Sequence, residues 1–172
     1  MYWKVFLQFV LIVFLSMIQL SFISGLPAFA NKINLILVTL VFILMLKSFK
    51  MVAWWAIGLG LFLDIYSFSV FGIYLISLFL VILVGNFLLV NFFTDRSLYS
   101  FLAMTFFIFI FYNIIVHLLT YLTGESIKII FHQDFWINFG QQIIINLLIT
   151  LFLFYLVNFM SKRLRPVFLS RS

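Results

Sequence analysis

Gly58-Leu59-Gly60-Leu61-Phe62-Leu63-Asp64-Ile65-Tyr66-Ser67-Phe68-Ser69-Val70-Phe71-Gly72 is the stretch on which the fold turns. Asp64 is the only charged residue in an apolar run that extends from residue 51 to residue 93. A carboxylate at the centre of a hydrocarbon layer costs about 2.5–3.5 kcal/mol on insertion scales, so an acid kept there has a task. The stretch reads as the end of one apolar helix, a Ser-containing turn, and a glycine that opens the next helix. Gly58 and Gly60 lack both the third glycine and the preceding strand of a dinucleotide loop, so they read as helix-packing positions.

Outward from this stretch the same apolar character fills the chain. Of its 172 residues, 67% are hydrophobic and 8% are charged, and the mean hydropathy is +1.33. No water-soluble domain of this size has that composition; the fold class is an all-α integral membrane protein. The 26 Phe residues read as lipid-facing apolar surface rather than as an aromatic binding site. There is no Cys, which removes disulfides, thiolate nucleophiles and cysteine-ligated metals from consideration.

Apolar stretches mark candidate spans over residues 5–23, 33–46, 51–65, 70–93, 98–122 and 135–160, a bundle of six transmembrane helices joined by short loops in one domain. The second and third are short: about 14 residues rise only about 21 Å against a hydrocarbon core of about 30 Å. They are expected to extend into their flanks or to form a hairpin that crosses only in part. Cytoplasmic loops carry the Lys/Arg excess. With the N-terminus inside, Lys4, Lys47, Lys50, Arg96, Lys162, Arg163, Arg165 and Arg171 fall on the inner side and only Lys32 and Lys128 on the outer. Both termini are therefore predicted in the cytoplasm, with Asp64 at the outer end of the third helix. A competing reading takes the first apolar run, with Pro27 and Ala28-Phe29-Ala30, as a cleaved secretory signal. The run is longer than the usual core of about 7–15 residues, which favours a retained span.

The net charge of +6 sits between and after the apolar runs, so it speaks for membrane orientation and not for nucleic acid. The basic tail, Lys162, Arg163 and Arg165, is expected against anionic headgroups, each charge contributing about 1 kcal/mol. Its rival task is docking a cytoplasmic partner.

Polar residues recur at helical spacings inside the spans. Asn113 and His117 lie four apart on one face of the fifth, with Thr120 continuing the stripe, and Asn138, Gln142 and Asn146 repeat every four residues in the sixth, with Gln141 beside them. With Gln19 and Asp64 they populate the outer half of the bundle. Such groups commonly bond across helices and orient packing; the functional alternative is an outward-facing polar pocket, with Asp64 and His117 as ligand-binding or proton-carrying groups. A relay across the membrane through these two would have to continue inward through scattered residues such as Gln8, Asn86, Asn91 and Asn158. Glu125, Lys128, His132 and Asp134 share one outer loop and read as a solvated turn. No metal-ligand spacing and no triad emerge, so neither an enzyme nor a cofactor is predicted.

The run from Gly58 and Gly60 to Asp64, the Ser-containing turn and Gly72 resembles the signature region of the rod shape-determining protein MreD family. Chain length, Gln19-Leu20-Ser21-Phe22 at the end of the first span and Asn34-Leu35-Ile36-Leu37 at the start of the second accord with it. The turn departs from the family pattern in lacking the proline often found before its glycine. The resemblance implies a non-enzymatic inner-membrane subunit of the machinery guiding lateral cell-wall synthesis. Its implied partners are an MreC-like membrane protein, an MreB-like filament and the elongation-complex wall synthases. A second reading is the substrate-binding subunit of an energy-coupling-factor vitamin transporter, similar in size, in its six helices and in its outward pocket. Against it, the first helix has no Ala or Gly to form the small-residue docking stripe of those subunits.

Overall fold

Apolar runs without internal proline form helices because only intrahelical bonds satisfy the backbone where water is absent. The computed structural model describes residues 2–23, 25, 30–67, 70–93, 97–124 and 133–168, and the described residues are helical with no strand. Helix α1 (Tyr2–Met17) widens into π-helical turns over Ile18–Ile23. A 3-10 turn (Ala30–Lys32) precedes α2 (Leu35–Leu46), followed by α3 (Phe49–Tyr66), α4 (Ile73–Asn91), α5 (Leu98–Leu122) and α6 (Gln133–Phe168). Four are long and apolar enough to cross a membrane: α3, α4, α5 and the part of α6 over Trp136–Phe159.

Helix α2 is the centre of the bundle. Ile36, Leu37, Val38, Leu40, Val41, Phe42, Leu44 and Met45 are all buried, and the helix touches all five others. A helix that is apolar on every side belongs in an interior, and α2 has no face left for lipid. Its 12 residues rise only about 18 Å, so the expected extension does not occur in α2. It occurs in α3, whose 18 residues rise about 27 Å. The first span likewise ends its regular helix early, at Met17, and the sixth runs beyond the expected 160 to Phe168.

Helices α3 and α4 form the most extensive pair, and α4 packs next on α5. Glycines permit these approaches. A Cβ on Gly58 would lie 3.1 Å from Ile12 Cδ1 of α1, and one on Gly85 would lie 2.9 Å from Leu44 Cδ2 of α2 and 3.0 Å from Ile108 Cδ1 of α5. Helix α1 is the least enclosed element. Phe6, Phe9, Val10 and Phe14 are exposed along it, while Ile12 and Ser16 are buried toward the bundle.

The ends of α1, α3 and α5 and the starts of α2, α4 and α6 meet at one end of the molecule, where the polar side chains discussed below reach across the helices. Pro27, Ala28 and Phe29, the charged residues Glu125, Lys128 and His132, and Arg96 and Arg171 lie outside the described residues. Asp134 belongs to the first turn of α6 and not to the preceding loop.

Candidate functional site

Helix α4 begins at a residue that cannot cap it. The first four N–H groups of a helix lack intrahelical partners, and the cap position here is Gly72, which has no side chain and sits in the left-handed region at φ 100°. That conformation suits glycine and strains other residues. The missing acceptor comes from the preceding helix. Tyr74 N–H donates to Asp64 Oδ1 at 2.9 Å, and Leu75 N–H donates to Asp64 Oδ2 at 3.0 Å. The carboxylate is only 3% exposed, and the positive end of the α4 dipole favours its charge.

Gly60 completes this clamp. It lies four residues before Asp64, on the same face of α3, and a Cβ there would lie 2.6 Å from Leu75 Cα. Leu75 thus receives both halves of the motif: its Cα fills the space left by Gly60 and its N–H meets Asp64. Any side chain at residue 60 would push α4 away and lengthen the two bonds to the acid. Gly58, two residues earlier, faces α1 instead.

A second polar assembly seals the start of α2. Non-helical backbone at membrane depth is tolerated where protein encloses it and satisfies it. Gln19 in the π-helical turns donates from Nε2 to Ile33 O at 2.9 Å and accepts at Oε1 from Leu35 N–H at 2.9 Å. Asn146 of α6, fully buried, accepts at Oδ1 from Asn34 N–H at 2.8 Å and donates from Nδ2 to Lys32 O at 3.0 Å and Gln142 O at 2.7 Å. Asn34 caps α2 itself, accepting from Leu37 N–H at 3.1 Å. One turn deeper, the buried Thr105 and Thr150 hydroxyls are 3.2 Å apart and join α5 to α6.

Beside this seal lies a cavity of about 480 Å³ lined by Asn31, Lys32, Asn113, His117, Asn138, Phe139 and Gln142. Asn31 and Asn138 are exposed at its mouth, while His117 and Gln142 are half-buried. Lys32 Nζ donates to Asn138 Oδ1 at 2.8 Å and to Gln141 Oε1. Asn113 donates from Nδ2 to Phe109 O at 2.9 Å within its own helix. Thr120, expected to continue the stripe, bonds back to Val116 O.

The polar residues singled out in the sequence therefore divide. Asn113, His117, Asn138 and Gln142 come together around the cavity. Gln19 and Asn146 do not face it; they are engaged on the backbone that leads into α2. Asp64 does not meet His117 in the cavity, its two oxygens being engaged on α4. Three contributors go unsignalled as site residues in the sequence. Lys32 counts there only as a loop charge; Asn31 adjoins it; Asn34, whose type and place before an apolar run are those of a helix cap, is the one with a readable signal. Tyr112 of α5, buried, is a fourth residue that the sequence does not single out. The α6 backbone is helical through Lys162, Arg163 and Arg165, whose side chains lie outside those described. Among the described residues, no group of three His, Asp or Glu side chains is placed to hold a metal. No protein-family model, curated protein or solved structure matches the chain.

Proposed function

We propose that this chain is a non-enzymatic scaffold subunit of the bacterial cell-elongation machinery, an MreD-like protein of the cytoplasmic membrane that binds an MreC-like partner. The observation that carries the reading is the geometry of the motif behind the resemblance: Gly60 and Asp64 both close on Leu75. An acid with each oxygen engaged on a backbone amide holds two helices in register and is not poised for proton transfer. A chain with four long apolar helices and no stretch long enough for a soluble core meets partners through helix faces, short loops or its basic C-terminal helix. The exposed apolar side of α1 accords with such lateral contact. In this reading the chain crosses the membrane six times with both termini in the cytoplasm, and the MreB-like filament and wall synthases are reached through the same complex.

The test is co-purification with an MreC-like protein from a rod-shaped bacterium in which this chain replaces the resident subunit. Recovery of the partner and restored rod shape are expected, with single cysteines labelled from outside at Asn31 and not at Lys47. Rounded cells without partner recovery would refute the scaffold.

The cavity beside Lys32 favours a second reading, a substrate-binding subunit of a vitamin transporter. That reading requires a bound small molecule in the purified protein and co-purification with a coupling ATPase module instead of an MreC-like partner.

A further inference from the structure

The cavity beside Lys32 has a chemistry that neither the Asp64 clamp nor the α2 seal uses. Among the described residues that line it, the one cation, Lys32, is met by the neutral amide oxygens of Asn138 and Gln141, and there is no carboxylate. With its oxygen turned to Lys32, the Asn138 amide keeps its NH2 group for another acceptor. The side-chain amides of Gln142 and Asn31 have no hydrogen-bond partner among the described residues. An ammonium set among amide donors, with no counter-charge among the described residues, is a site for an anion.

Position narrows the anion. His117 lies five residues before the end of α5 and Asn138 five residues after the start of α6, about 8 Å inside either helix end. With 25 residues, α5 rises about 37 Å, longer than a hydrocarbon core of about 30 Å, so its end reaches the headgroup layer. The volume of about 480 Å³ is in the range of small-ligand sites, about 300–1,000 Å³. Six of the seven lining residues carry a polar side chain and only Phe139 does not, so the cavity can take a charged group.

We infer that this cavity binds a phosphate group, held by the Lys32 ammonium and by amide donors of Asn138, Gln142 and Asn31. The phosphate belongs to an anionic lipid headgroup or to a soluble phosphate ester; the site chemistry is shared, and the inference does not rest on the scaffold reading. Lys32 can be tested without disturbing the seal, because its carbonyl and not its ammonium is the acceptor for Asn146.

The experiment uses the full chain in phosphatidylcholine nanodiscs. One arm adds phosphatidylglycerol and reads retained lipid by native mass spectrometry. The other adds glycerol 3-phosphate to discs without anionic lipid and reads binding by calorimetry. In whichever arm binds, Lys32→Gln is expected to weaken binding about tenfold, the effect of one lost charge-assisted contact. Lys32→Arg retains most of the binding. Lys47→Gln, exposed at the far end of α2, leaves it unchanged. Gln142→Leu, which removes an amide with no structural bond, provides a second loss should Lys32→Gln unfold. Binding in neither arm, equal binding by wild type, Lys32→Gln and Gln142→Leu, or an equal loss in Lys47→Gln would overturn the site.

Discussion

Replacing Asp64 by Ala removes the acceptors for two amides at the start of α4 while leaving every apolar contact of the α3–α4 pair in place. Each buried donor left without a partner costs about 1–3 kcal/mol, and loss of an N-cap in soluble proteins costs about 0.5–2 kcal/mol. Side-chain bonds within membranes average nearer 0.6 kcal/mol, because the separated helices also find partners. Here the clamp lies near the rim, with Tyr66 and Phe71 exposed beside it, so water reaches part of the freed backbone. About 2–4 kcal/mol follows for Asp64→Ala. Asp64→Asn keeps one acceptor oxygen but turns an NH2 toward the second amide and gives up the charge–dipole attraction of about 0.3–1 kcal/mol; about 1–2 kcal/mol follows for it. Membrane insertion is unaffected or improved, since Ala is cheaper than Asp in lipid. The assay is reversible unfolding in mixed micelles, titrated with a denaturing detergent and followed by the fluorescence of Trp54 and Trp55 on α3. Wild type, Asn and Ala are expected in that order of stability. If Asp64→Ala unfolds within about 0.5 kcal/mol of wild type, the carboxylate does not hold α4 and its presence needs another explanation.

Gly60→Ala is expected to destabilise by about 1–3 kcal/mol, since its Cβ meets backbone at Leu75 and not a movable side-chain tip. Because it opens the same bonds, Gly60→Ala combined with Asp64→Ala should cost clearly less than the sum of the two, as measured by the same unfolding titration in a double-mutant cycle. Asn146→Ala strands Asn34 N–H and Lys32 C=O and is expected to cost about 2–3 kcal/mol, with faster amide exchange confined to the start of α2.

The helices themselves were legible because their cause is local. Long apolar runs closed by polar turns leave only one way to satisfy the backbone, and the fifth span, predicted over 98–122, coincides with α5 (Leu98–Leu122). The shortness of α2 was legible too, but its consequence was not: whether a short apolar helix partly crosses or is buried on all sides depends on its neighbours. The i, i+4 stripe in α6 shows the limit more sharply. Spacing places Asn138, Gln142 and Asn146 on one face, yet the face passes three different environments, and they take three tasks: orienting Lys32, lining the cavity and bonding the backbone at Lys32 and Asn34. Lys32 escaped notice because a lysine between two spans reads as an orientation signal, and only tertiary structure sets it beside Asn138.

The clamp and the seal solve one physical problem twice. Both α2 and α4 begin packed against other helices, where an uncapped helix start would leave amides without a partner. At α4 a glycine turn makes self-capping impossible, so α3 supplies Asp64; at α2, Asn34 caps one amide and the flanking backbone is closed by Gln19 and Asn146 from two other helices. The polar residues at this end thus tie α4 to α3, and the start of α2 to α6 and to the turns that follow α1, through backbone groups, which cannot change rotamer. An assembly of that kind fixes the relative positions of helices whose outer faces remain plainly apolar. The scaffold proposed above would use that division: a polar end bonded inside, and outside, along α1, an exposed apolar surface for a partner helix.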